Sequence, residues 1–566
     1  MLCFYNNTKK LISYTKFYLA MKRLFLLLIC LVITTSALEA SDKKDQLMPK
    51  LVVGIVVDQM RYDYLYRYYD LYSDGGFKRL MKQGMNFTYA QYNYIPTYTG
   101  PGHASIYTGS TPYYHGIISN DWYDKVQKKT IYCTSDSNYQ TIGADNASGQ
   151  MSPQRLLAST IGDELRMSNN GLSRVFSASI KDRASILPGG HMANAAYWYD
   201  GKSGNFVTST YYAKSLSQWI SNFNAQQLPA KLMANGWNLS MSESSYLRSM
   251  PDNGAGEADV FKEGETNFPH SFEKVALNTR LDLIRTTPFG NELLADFVLE
   301  LIKNEKPGQG QYTDMLAVSF SSTDYVGHAY GPNSVEVMDT YLKLDTQIAR
   351  LLEELDNTVG KGNYLLFLTA DHAVKPNGAY MQENHLPNGS LEDKAVEDSL
   401  KSYCKMYYGF ENIIETVNDN QIYFNHQILD SKKLDLHQLN TTLINYLRVT
   451  FPQMNTISSK EDFNSEMPTR TMSTFALNGF NPFRSGDLVY DLTIGYLTGG
   501  YLEGTSHGSA LDYDTHVPLL FYGWKIKPGE SNDEVYVEDI APTITNLIHI
   551  QEPNGTIGVP IIHLGK

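Results

Sequence analysis

The chain has 566 residues, 42% of them hydrophobic and 19% charged, which is ample for a large core and excludes a disordered or multi-span membrane protein. Its formal charge of -13 lacks the basic excess that a general nucleic-acid binder carries, so no nucleic-acid partner is expected. Glycine (42) and proline (22) are ordinary, which removes collagen-like and low-complexity classes, and length alone suggests about four domains.

Residues 1–40 read as a leader. Within it, residues 21–40 carry the three zones of a secretory signal peptide: basic Met21-Lys22-Arg23, an apolar run from Leu24 to Ile33, and small residues through Ala40. The apolar run is about half of the roughly 20 residues a membrane-spanning helix needs. Met21 is the better start, and cleavage is expected after Ala37 or Ala40. The expected product is periplasmic, with no stable membrane insertion. Losing five basic residues and one acid deepens the formal charge to -17. Cys3 and Cys30 leave with the leader, and Cys133 and Cys404 remain, either as a disulfide or as two buried thiols.

Leu51–Val57 is a continuous, β-branched apolar run that suits a strand buried on both faces. Similar runs recur at Val175–Ile180, Met315–Phe320, Tyr364–Thr369 and Val517–Tyr522, and Asn86–Tyr94 is also strand-like. Helical patterns fall at Gln154–Met167, Asn291–Ile302, Ser334–Leu355 and Val537–Ile548. Strands alternating with helices predict an α/β protein with a large, mostly parallel sheet covered on both faces. Two stretches rich in Asn, Gly, Ser and Tyr, about 190–285 and 376–500, break the rhythm and read as insertions in one domain spanning 48–566.

In an open α/β sheet, ligands gather beyond the carboxyl ends of the strands. Asp58 follows the first strand, Asp324 and His328 the third run, and Asp371 and His372 the fourth; His507 precedes the last. Carboxylate and imidazole groups suit a divalent cation such as zinc. Asp324 and His328 share a face if a helical turn follows the strand, whereas adjacent Asp371 and His372 can both ligate only from irregular backbone. Pro96-Thr97-Tyr98-Thr99-Gly100-Pro101-Gly102-His103 suits a helix start with Thr99 or Gly100 near the N-cap, where an anion is welcome. Singly, each residue has a plain structural reading as a cap, a turn or a hydrogen-bonded histidine. Their joint occurrence at strand ends makes the functional reading the stronger one.

This set closely resembles the alkaline phosphatase superfamily, and its order and spacing are similar to those of the phosphate-irrepressible bacterial alkaline phosphatases. The resemblance runs from about Leu51 onward and includes Ser119-Asn120-Asp121-Trp122 and Ser179-Ile180-Lys181-Asp182-Arg183. It implies two zinc ions, one held by Asp324, His328 and His507, the other by Asp58, Asp371 and His372 with Thr99 as a reacting ligand. It implies Thr99 as nucleophile, and Asn120, Lys181 and Arg183 as catalytic groups that bind the non-bridging phosphate oxygens. Three aspartates against two zinc ions, one lysine and one arginine leave such a pocket locally cationic. The expected activity is hydrolysis of small phosphate monoesters through a phospho-threonine, by a monomer. A phosphodiesterase or nucleotide pyrophosphatase on the same metal core is the alternative. The Cys/Ser-x-Pro-x-Arg signature of sulfatases is absent around residue 99, and ligands for a third, magnesium site are not matched. His103, His115, His191 and His516 receive no role.

Overall fold

The computed structural model describes residues 48–462, 472–499 and 503–564, so the expected signal peptide and its cleavage sites lie outside the described residues. Leu51–Val57 forms a strand in which every residue is buried, as its unbroken apolar sequence requires. It pairs in parallel with Tyr364–Thr369 on one side and Asp314–Phe320 on the other. Val175–Ser179 and then Ala195–Asp200 continue the parallel array.

These five strands are the centre of a ten-stranded sheet. The sheet is mixed rather than parallel throughout. His516–Gly523 runs antiparallel to Tyr364–Thr369, and Met85–Gln91 antiparallel to His516–Gly523. Asn205–Ser209 turns back on Ala195–Asp200, so the stretch read as the first insertion opens with two strands of the main sheet. Gly529–Tyr536 adds an edge strand that sequence patterning misses, because six of its eight residues, GESNDE, are polar or glycine and it is largely exposed.

Long helices cover the faces, chiefly Pro288–Glu305 and Val335–Leu355. The helix expected over Gln154–Met167 begins only at Ile161, because Thr160 and Asp163 form a reciprocal capping box there. The 376–500 stretch carries a separate four-stranded sheet, ordered Ile414–Asn418, Gln421–Phe424, Leu488–Leu492, Met454–Ser459, over its own apolar cluster. Cys404 lies in that cluster and Cys133 packs beside Ile117 and Trp122 in another; both are free, buried thiols.

The topology brings the motif segments to one edge. The parallel strands end there at Val57, Phe320, Thr369 and Ser179. The antiparallel strand His516–Gly523 begins there, with Leu519 opposite Thr369, and Met85–Gln91 ends there, with Gln91 opposite His516.

Candidate active site

Asp324 and His328 lie one turn apart on the helix Ser322–Tyr330, with His328 Nε2 3.1 Å from Asp324 Oδ1. His507 reaches the same oxygen from its loop at 3.7 Å. Asp371 and His372 follow Thr369 on irregular backbone. His372 Nε2 lies 3.5 Å from Asp58 Oδ1 and 3.6 Å from Asp371 Oδ2. Each trio, Asp324–His328–His507 and Asp58–Asp371–His372, offers three ligand atoms within 4.8 Å of one another. The trios adjoin, since His372 Nε2 is 3.9 Å from Asp324 Oδ1 and the His372 and His507 rings stack at 3.5 Å.

The histidines are oriented for ligation. Nδ1 of His328 faces the Thr505 carbonyl at 2.7 Å, that of His372 the Ala373 carbonyl at 3.0 Å, and that of His507 the Thr97 carbonyl at 2.6 Å. A carbonyl only accepts, so in each ring Nδ1 carries a proton and Nε2 faces the carboxylates. Asp514 holds the His507 loop by accepting from the Ser509 hydroxyl and from Gly508 and Ser509 N–H.

The donor set fits divalent cations. Asp58 Oδ1, Asp371 Oδ2 and His372 Nε2 are buried without a hydrogen-bond partner, which is costly unless a cation faces them. Burial, with Asp324 and Asp371 beside it, pushes the Asp58 carboxyl well above its ordinary range. Burial, with His372 and His328 close by, pushes the His507 imidazole well below its own, which favours the neutral, ligating form. Lys181 Nζ makes an ion-pair approach of 2.9 Å to Asp58 Oδ2 and donates to Asp324 Oδ2, so one lysine lies across both trios.

Thr99 is the first residue of the helix Thr99–Thr108, not its cap; the N-cap is Tyr98, and no side chain caps the turn. Thr99 is buried, and its Oγ1 accepts from Lys181 Nζ and Arg183 Nη2, each at 3.4 Å. Lys181 and Arg183 follow the strand Val175–Ser179. Asp182, the plain partner for such a basic pair, accepts instead from the Tyr132 hydroxyl and from Arg183 N–H. Asn120 Oδ1 accepts the Gly100 N–H at 2.8 Å, which leaves its amide nitrogen as the donor. Gly102 lets that helix press onto the Asp371 segment, because a Cβ there would meet the Asp371 carbonyl at 2.2 Å.

Two supporting residues went unread in the sequence. Gln59 N–H donates to Asp371 Oδ1 at 3.1 Å and its Nε2 donates to Asp324 Oδ1 at 2.9 Å, so it links one trio to the other. Its position beside Asp58 was the only signal. His103 joins the Thr99 carbonyl (Nδ1, 2.9 Å) to the Ser319 hydroxyl (Nε2, 2.8 Å) and lies 3.3 Å from Asp371 Oδ2. His115 bonds the Ser105 hydroxyl, His191 the Leu156 carbonyl and His516 the Thr88 carbonyl.

The fold defines a phosphatase-type hydrolase of the alkaline phosphatase superfamily, and the two trios are its candidate metal-binding groups. Within it the chain belongs to the type I phosphodiesterase/nucleotide pyrophosphatase family, whose model matches residues 52–514. It is 44% identical over 515 residues to alkaline phosphatase PafA of Elizabethkingia meningoseptica, covering 91% of this chain and 94% of that one. Against alkaline phosphatase PhoV of Synechococcus elongatus the identity is 42% over 526 residues, covering 92% and 93%. The crystal structure of wild-type PafA superimposes with a TM-score of 0.88 at 42% identity, over 92% of this chain and 99% of the other.

Proposed function

We propose that the chain is an alkaline phosphatase that hydrolyses small phosphate monoesters through a phospho-threonine on Thr99. The single observation that carries this reading is the approach of both Lys181 and Arg183 to Thr99 Oγ1, beside the two trios. Two cations at one hydroxyl suit a terminal phosphoryl dianion better than the single charge of a diester. The identities to PafA and PhoV support the same reading.

Asp324, His328 and His507 would hold one zinc ion, and Asp58, Asp371 and His372 the other, with Thr99 as a reacting ligand of the second. Bound metal supplies positive charge that activates the attacking oxygen and stabilises the leaving one. The chain's own residues do the rest. Thr99 Oγ1 attacks phosphorus, forming the P–O(Thr99) bond as the ester P–O bond breaks and the alcohol departs. Lys181, Arg183 and the Asn120 amide hold the non-bridging oxygens throughout. Water then attacks the phosphorus, the P–O(Thr99) bond breaks, and inorganic phosphate leaves with the hydroxyl restored. His103, fixed on the Thr99 carbonyl, sets the position of the helix start.

Residues 48–566 act in this account as one catalytic domain, with about 190–285 and 376–500 as insertions. Among the described residues no helix is long and apolar enough to cross a membrane. Periplasmic export is supported by the pattern of residues 21–40. Turnover of p-nitrophenyl phosphate against bis-p-nitrophenyl phosphate tests the reading. The monoester is expected to be strongly preferred, and preference for the diester would overturn it in favour of a phosphodiesterase.

A further inference from the structure

Behind Lys181 and Arg183 lies a cavity of about 230 Å³, well above the ~30 Å³ share of a single water. Its wall carries a third cation, Arg285, with Tyr132, Tyr199 and Tyr325. Lys181 lies 5.0 Å over the Tyr325 ring and Arg285 lies 6.0 Å from the same ring, so this one phenol separates the phosphoryl-facing lysine from the outer arginine.

The cavity is rich in unused donors. Arg183 turns Nη2 to Thr99 and Nη1 to the Tyr132 hydroxyl, but its buried Nε has no partner. Arg285 donates Nη2 to the Tyr199 carbonyl at 3.3 Å, and its buried Nε likewise has none. Its ion-pair partner, Asp282 at 3.2 Å, is largely exposed and therefore a weak counter-charge. The two wall carboxylates already accept hydrogen bonds from elsewhere. Asp182 takes the Tyr132 hydroxyl and Arg183 N–H. Asp200 accepts from Asn146, Ser148 and Ser203 side chains and from two backbone N–H groups. Two of the three cations, Arg183 and Arg285, keep a buried N–H without a partner, and such guanidinium groups suit an oxyanion.

We propose that this cavity is a second oxyanion subsite for a phosphate-type dianion, either a second phosphoryl group on the substrate or free inorganic phosphate. The proposal rests on the reading of Lys181 and Arg183 as groups at the reacting phosphoryl. A bisphosphorylated substrate would then be gripped at both ends, with Arg183 shared between them.

The test uses the metal-loaded enzyme as wild type, Arg285→Gln and Arg285→Lys. First, kcat/KM is measured for 1,3-propanediol bisphosphate and for propyl phosphate. The ratio of the two is expected to fall about tenfold in Arg285→Gln, the effect of one charge-assisted hydrogen bond, and to be partly kept in Arg285→Lys. Using the ratio cancels any general damage to turnover. Second, calorimetry counts inorganic phosphate bound per chain, with two expected for wild type and one for Arg285→Gln. A fall in the ratio alone identifies the substrate's second phosphoryl as the occupant, and a fall in stoichiometry alone identifies free phosphate. An unchanged ratio together with one phosphate per wild-type chain would overturn the proposal. Absence of turnover on both esters would instead refute the phosphatase reading, and an Arg285-sensitive phosphate would still report the subsite.

Discussion

Gly102→Ala probes how tightly the helix Thr99–Thr108 is seated on the Asp371 segment. The added Cβ would lie 2.2 Å from the Asp371 carbonyl oxygen and 2.8 Å from Asp371 Cβ, against 3.4 Å for ordinary contact. Relief requires the helix start and Asp371 to part by about 1.2 Å. The obstacle is backbone, so no side chain can rotate away. Overpacking of this kind costs about 1–3 kcal/mol of stability, which a chain with so large a core survives. A displacement of ~1 Å between reacting groups costs about 100-fold in rate. We therefore expect kcat/KM on p-nitrophenyl phosphate to drop about 100-fold while the thermal midpoint moves only a few degrees. Activity within threefold of wild type, in a folded variant, would refute the claim that this contact fixes Thr99 against Asp371.

Thr99→Ala should abolish formation of the phospho-enzyme in acid-quenched samples, while Thr99→Ser retains substantial turnover; equal activity of Thr99→Ala and wild type would exclude the nucleophile assignment. Arg183→Ala should lower monoester turnover by at least tenfold more than diester turnover, because the second negative charge loses its partner. Glu538 is buried and carries a carboxyl pushed up to about 8 by burial and by Asp539. Between the ordinary 4.5 and that value the folded chain holds a proton the unfolded chain has released, so stability falls as pH rises across this window, by at most about 1.4 kcal/mol per pH unit. Glu538→Gln should accordingly gain in thermal midpoint over wild type from pH 5 to pH 9; a difference that stays flat with pH would show that Glu538 does not bind the proton.

The central strands were legible because burial on both faces leaves unbroken apolar runs such as LVVGIVV and YLLFLT. The candidate ligands were legible because metal chemistry restricts residue type: Asp58, Asp324, His328, Asp371, His372 and His507 stand at one edge of the sheet and gather into two trios. What stayed hidden has no compositional mark. Gly529–Tyr536 is an exposed edge strand that needs no apolar face. Gln59 and His103 are recognisable only by the carboxylates they bond across more than 200 residues of sequence, 265 and 312 for Gln59. The Arg285 cavity combines side chains from segments far apart in sequence, none of them unusual alone.

The central claim is that the two trios hold metal ions on which hydrolysis depends. Metal analysis of the purified protein, made alongside p-nitrophenyl phosphate turnover before and after chelation, tests it most directly. The account predicts two equivalents of zinc per chain, loss of activity when they are removed, and recovery when zinc is restored. Full turnover by metal-free protein would contradict it.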